Sequence, residues 1–536
     1  MRRATRSAVV LVGLVLSAVA YARSQSPAPS TSSTAAAVAG PLRQVAYLKA
    51  SNPVEDAHFG CGGTLTGHAG NASAISQDGS TLAIGAPHET SGAKGINGNQ
   101  SDHSVYSSGA VYVFTRRGGT VSQQAYVKAS SPGDGANFGS SVALSRDGNT
   151  MAVAAYYEAS AATGINGNQN DRSIPEAGAV YIFSRTGSTW SQQAYIKASN
   201  TGNAAVGDGF AEGDQFGYSI ALSSDGNTLA VGAIGEDSNA TGINGDQADN
   251  SANQSGAAYV FTRSGSTWSQ QAYVKSSMTR PNVLFGYSIG LSADGNTLAV
   301  AEYDADRGKG ALYVLTRSPG MTSVTPATPT WSHQARLQAD NAENGDSLGY
   351  SLAISEDGNT IASGAADEDC LIPGVNPAGC DKDQPTDTSA GAAYVFVRNG
   401  TAWAQQAFLK PSHPHKSDWF GVRIAISGDG NTVAVSAPQE DGASRGIDGN
   451  QANLTASEAG AVYFYTRIGT AWTQQAYVKS SNADASDEFG SSIALSRDGR
   501  TMLVGARGED SSAKGVNGNQ ADNSTRDAGA AYLFTR

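Results

Sequence analysis

Phe216-Gly-Tyr-Ser-Ile-Ala-Leu-Ser-Ser-Asp-Gly-Asn-Thr-Leu-Ala-Val-Gly-Ala233 is the stretch on which the fold turns. Before its centre Ile220 and Leu222 fall on one side of an extended chain and Ser219 and Ala221 on the other, as side chains of a strand do. After its centre Thr228–Ala233 again alternates large with small. Between the two runs sits Asp225-Gly226. Asp-Gly in that position is a strong hairpin signal, and the positive φ that these residues tolerate points to a type I′ turn. Large-against-small alternation is what twisted sheets need in order to pack face to face.

The unit recurs seven times. Asp-Gly stands at 78/79, 147/148, 225/226, 294/295, 357/358, 429/430 and 498/499. Ahead of each turn lies Phe59-Gly60, Phe138-Gly139, Phe216-Gly217, Phe285-Gly286, Leu348-Gly349, Phe420-Gly421 or Phe489-Gly490. Two more strands complete each unit, Gly256–Arg263 and Trp268–Lys275 in the third copy, both rich in aromatic and β-branched residues. Four short strands per repeat fit one blade of a propeller, and seven repeats make an all-β, seven-bladed β-propeller with strands A to D in each blade. The last copy stops at its third strand, Ala531–Arg536, while Arg43-Gln-Val-Ala-Tyr-Leu-Lys49 carries the wording of a fourth strand before any blade has begun. Residues 43–50 are therefore expected to pair with the last blade and close the ring.

Phe-Gly, an alternating strand and then Gly85-Ala86-Pro87 resemble the FG-GAP repeat of integrin α-subunit propellers and their bacterial relatives. The resemblance covers Arg43–Arg536, although Ala-Pro survives only there and at Ala437-Pro438. It implies ligand contact through D-to-A and B-to-C loops on one face, and calcium in A-to-B loops on the other. Calcium needs six to eight oxygens. The connection Ser224-Asp225-Gly226-Asn227 offers one carboxylate, so the family's metal sites are not carried over to it.

The 536 residues carry a formal charge of −12, which excludes nucleic acid and anionic membrane as partners and fits cations, extracellular protein or glycan. A basic start, an apolar run from Ala8 to Ala20 and Ala20-Tyr21-Ala22 make residues 1–22 a secretory leader, so export by the general secretory route is expected. Residues 23–42 read as a flexible linker and 43–536 as a monomeric propeller without a transmembrane anchor. Cys370 and Cys380 share one loop and would bridge in an oxidising compartment.

Acidic residues follow strand B at Glu89, Glu158, Glu236, Asp304, Glu368, Glu440 and Glu509, three places beyond an alanine in each repeat. Two readings stay open. In one, each carboxylate ties its loop to backbone N–H groups. In the other, the acids hold a cation such as calcium, Glu89 by itself and Glu236, Glu368, Glu440 and Glu509 with Asp237, Asp369, Asp441 and Asp510. Loops of the form Gly95-Ile-Asn-Gly-Asn-Gln100 recur in five repeats and offer Asn97, Asn99, Asn166, Asn244, Asp246 and Asn517 for packing or ligand contact. Lysines ending strand D at 49, 128, 197, 275, 410 and 479 read as edge charges against aggregation, and Trp190, Trp268, Trp331, Trp403 and Trp472 as covers for their blades. Trp419, beside His413 and His415, is the candidate for an exposed aromatic contact. The leading expectation is a binding or adhesion module acting through its B-to-C and D-to-A loops. The alternatives are a polysaccharide- or phosphoester-cleaving enzyme with its site in the central opening, and a structural surface protein.

Overall fold

A computed structural model describes residues 40–62, 70–202, 213–318, 329–380 and 388–536. The expected leader (1–22) and nearly all of the linker (23–42) lie outside the described residues. Pro41–Arg536 form one compact unit, a seven-bladed propeller. Each blade is an antiparallel sheet in the order A-B-C-D, as in blade 3: Phe216–Leu222, Thr228–Ala233, Ala257–Ser264 and Thr267–Val274; in blade 5 the short strand Gly374–Val375 adds a fifth, outside strand D. Between strands B and C of blade 4, Ala305–Gly308 form a tight turn in which Asp306 and Arg307 take left-handed backbone, at φ 52° and 70°.

The alternation read from the sequence becomes seven apolar clusters, one between each pair of neighbouring blades. The aromatic or leucine of every Phe-Gly pair lies in its own cluster, fully buried. Truncating one such phenylalanine to alanine costs about 3–5 kcal/mol in comparable cores.

Ring closure follows the expected swap. Strand D of blade 7 is Arg43–Leu48, paired antiparallel with Ala530–Thr535 from Arg43↔Thr535 to Leu48↔Ala531. The strand is held on its other side too, where the Lys49 N–H donates to the Gly515 carbonyl at 2.8 Å and the Asn517 N–H to the Tyr47 carbonyl at 2.7 Å.

The turns joining A to B differ from the type I′ expectation. Only the glycine has positive φ (70° at Gly79), and the Gly79 N–H donates to the Ser76 carbonyl. This is a type I turn followed by a left-handed glycine. The aspartate is spent on local bonds: Asp78 accepts from the Ser76 hydroxyl at 2.7 Å and from the Ser80 N–H at 2.9 Å. With its φ left negative, the first turn residue is free to bond its counterpart in the next blade. The N–H of Gln77 donates to Arg146, and so on through Ser224, Ala293, Glu356, Gly428 and Arg497 back to Gln77, at 2.8–3.3 Å. A closed belt of backbone hydrogen bonds therefore rings the channel at this end.

Candidate functional site

The acids after strand B and the lysines ending strand D meet in the interior. Lys275 Nζ lies 2.6 Å from Glu236, and equivalent pairs are Lys128–Glu89, Lys197–Glu158, Lys410–Glu368, Lys479–Glu440 and, across the closing seam, Lys49–Glu509. Both partners are at most 5% exposed in every pair. The lysines are thus not edge charges; the edge is covered by loops such as Gly95–Gln100, whose Ile96 bridges Val127 on strand D. Burial lowers the ammonium pKa of each lysine, opposed by its glutamate. The remaining glutamate lone pairs are also used: Glu236 accepts from the Tyr273 hydroxyl at 2.7 Å and from Asn200 at 3.0 Å. Buried charge survives in a low-dielectric interior when it is paired and hydrogen-bonded in this way.

Blade 4 corrects the register read for Asp304. Its strand B runs on to Glu302, which pairs with Ala311 as Ala233 pairs with Ala257, so the position of Glu236 is taken by the buried Ala305. The lysine position holds Gln338. Acid and base are lost together in this blade, as electrostatics requires. Arg336 and Gln338 bind Asp306 instead, at 2.6 and 3.0 Å.

The second acids carry the loop-tying role. Asp237, Asp441 and Asp510 accept the backbone N–H of Gln254, Glu458 and Asp527 at 2.7–2.9 Å, and Asp369 accepts from Thr388 and Ser389. Among the described residues, none of these acids belongs to a group of three metal-ligating side chains with ligating atoms within 4.8 Å of one another. The polar loops are fastened as well. Asn97, Asn166, Asn244 and Asn517 accept the N–H of Tyr126, Tyr195, Tyr273 and Tyr47 at 2.9–3.0 Å, while Asn99 and Asp246 accept from residues two places on. The tryptophans join blades: Trp190 donates to Gln124 of the preceding blade at 3.0 Å under the Arg185 guanidinium, and Trp268, Trp331, Trp403 and Trp472 repeat the arrangement. Cys370 and Cys380 are disulfide-bonded, and Cys61 is buried.

Aromatic side chains gather on the face where D-to-A and B-to-C loops meet the channel. Tyr156, Tyr218, Tyr287 and Tyr350 run from blade to blade with ring centroids 6.0, 5.2 and 5.7 Å apart and fill the channel mouth. Tyr157, Ile234, Leu284, Tyr303 and Trp419 pack on them half-exposed. Trp419 therefore stands on the rim of an aromatic cluster rather than free in solvent. His413 is exposed and contacts Gln451, and His415 sits 3.5 Å from Asp418. Further out, Tyr106, Met278, Leu371, Ile372 and Leu454, five of the six exposed large apolar side chains among the described residues, belong to the same two sets of loops.

Across the mouth the chemistry is ionisable. His58 and His88 pack with tilted rings, centroids 4.6 Å apart, and burial pushes His58 down to about 3, with His88 and Arg507 adding to the effect. Arg507 pairs with Glu488, whose carboxyl burial raises to about 7.

Four blades bury one more aspartate two places before the Phe-Gly pair. Burial, with the nearby acids after strand B adding, raises Asp214, Asp418 and Asp487 to about 8 and Asp346 to about 7. Folded, these carboxyls keep their protons; unfolded, they ionise near 3.8. Their stabilising contribution is fully present below that value and is lost as pH rises through about 7 to 8. Above the histidine range, from roughly pH 6.5 to 8.5, Tm is expected to fall, with an upper slope of about 1.4 kcal/mol per pH unit for each carboxyl. The triple variant Asp214→Asn, Asp418→Asn, Asp487→Asn should flatten it. A Tm that is constant or rising over that window in the parent chain would contradict the assignment.

No helix among the described residues is long and apolar enough to cross a membrane. No curated protein matches the chain. The family model described as FG-GAP repeat matches residues 403–465 and 472–534, each running from strand D of one blade through strand C of the next. The other blades repeat the Phe-Gly entry, the Asp-Gly turn and the four-stranded order of the matched ones. The chain is an FG-GAP-repeat β-propeller protein.

Proposed function

We propose that this propeller is an exported recognition module that captures an extracellular protein or glycan on the face built by its D-to-A and B-to-C loops. The observation that supports the reading is where the exposed and half-buried apolar side chains lie. The A-to-B end is a hydrogen-bonded belt of short Asp-Gly turns, whereas the opposite end carries the half-exposed Tyr157, Tyr303 and Trp419 and the outlying Tyr106 and Leu454. Aromatic rings of this kind combine apolar area with a polar edge and dominate recognition surfaces. Glycan rings and apolar peptide side chains both stack on them. The leader at 1–22 delivers the propeller outside the cell in this reading.

The test is capture of the purified chain on a glycan array and on immobilised extracellular proteins. Trp419→Ala with Tyr303→Ala should weaken capture about tenfold or more, a hot-spot effect of about 1–2 kcal/mol, with Tm little changed. Substituting Gln77 on the belt face should leave it intact. The reverse pattern would reject the assigned face. Deleting the loop 91–104 is an unsuitable probe, since the Lys128 N–H donates to Gly95 and the loop caps strand D.

A further inference from the structure

The seam where the two ends of the propeller meet carries a chemistry that the binding face does not need. Asp56 and His58 lie in the loop after the closing strand, and Asp527 lies just ahead of the last strand C. Backbone bonds hold the two segments together: Asp56 N–H to the Arg526 carbonyl at 3.0 Å, His58 N–H to Asp527 at 3.1 Å and Phe59 N–H to Ala528 at 3.1 Å. Among the described residues these three side chains form the single group of histidine, cysteine, aspartate or glutamate whose ligating atoms lie within 4.8 Å of one another.

One observation singles out the histidine side chain in this group. Its Nδ1 is buried without a hydrogen-bond partner, although buried polar atoms are nearly always satisfied. Its backbone, at φ 54°, has the left-handed conformation that the residue before the Phe-Gly pair adopts in all seven blades, so the loop presents the ring with the geometry of the repeat. The ring of His88 packs against it, tilted by 47° with the centroids 4.6 Å apart.

We propose that Asp56, His58 and Asp527 bind one divalent transition-metal cation of the zinc or cobalt type, which clamps the N-terminal loop to the C-terminal one. One imidazole with two carboxylates is a donor set such ions accept, and three protein ligands leave a coordination position open. Arg526, 63% exposed and 2.8 Å from Asp56, supplies positive charge at the same place. A side chain that exposed swings away at little cost, so the cation replaces it as the link between the two carboxylates.

The experiment is a cobalt titration of the full chain, followed by visible absorption and by Tm. One equivalent should bind, with ligand-field bands that zinc then displaces and a Tm that rises with metal concentration. His58→Ala and Asp527→Asn should each weaken binding by about tenfold or more, since losing even an outer-shell partner of a metal site costs that much. Arg526→Ala, which keeps all three ligands and removes the competing charge, should bind more tightly and covers the case in which His58→Ala does not fold. Absent cobalt bands, affinity unchanged in Asp527→Asn, or weaker binding in Arg526→Ala would each overturn the site.

Discussion

Lys275→Met is expected to destabilise the propeller by about 3–5 kcal/mol, the cost of leaving a buried charge without its partner. Glu236 is fully buried, and its only cation within 4 Å among the described residues is Lys275. Its neutral partners, Tyr273 and Asn200, stay behind and cannot replace the lost charge. The double change Glu236→Ala with Lys275→Gln should cost far less than the sum of the two single ones, because it recreates blade 4, where Ala305 and Gln338 stand in these places. Chemical denaturation of the four chains in a double-mutant cycle measures the coupling. Additive single effects would mean that the pair is not the unit of stability in each blade.

Removal of residues 41–50 is expected to abolish a discrete folded species. The deletion takes away strand D of blade 7, leaves Ala530–Thr535 as a bare edge, and strands Glu509 without Lys49. An unpaired edge of that length recruits other chains. A peptide of residues 41–52 added during refolding should restore solubility, by supplying the strand and the lysine in trans, whereas a scrambled peptide should not. Light scattering and gel filtration read the result. A truncated chain that stays discrete with an unchanged Tm would show that blade 7 does not rely on its N-terminal strand.

The buried ion pairs show how far reading along the chain reaches. Glutamate and lysine stand 39 residues apart in four blades and 42 in blade 5, and both are missing from the fourth. That shared spacing and shared loss signal a contact. Each series taken alone suggests only a loop tie or an edge charge, and in blade 4 Glu302 replaces the alanine that closes strand B, so counting from Ala301 hides the gap by placing Asp304 in the acid's apparent position. The seam cluster leaves no comparable trace, since His58 and Asp527 meet only because the ring closes on itself.

Sequence alone determined the repeat, the strand order, the ring closure and the disulfide partners, because each rests on local periodicity, turn chemistry or a matching strand at the far end of the chain. Only the tertiary structure decided which side chains come together. Tyr156, Tyr218, Tyr287 and Tyr350 come from four consecutive blades, the first from beyond strand B and the others from strand A, and become a single cluster only because the blades converge on one axis. Partnership between side chains depends on distance in space, and in a closed ring that distance bears little relation to separation along the chain.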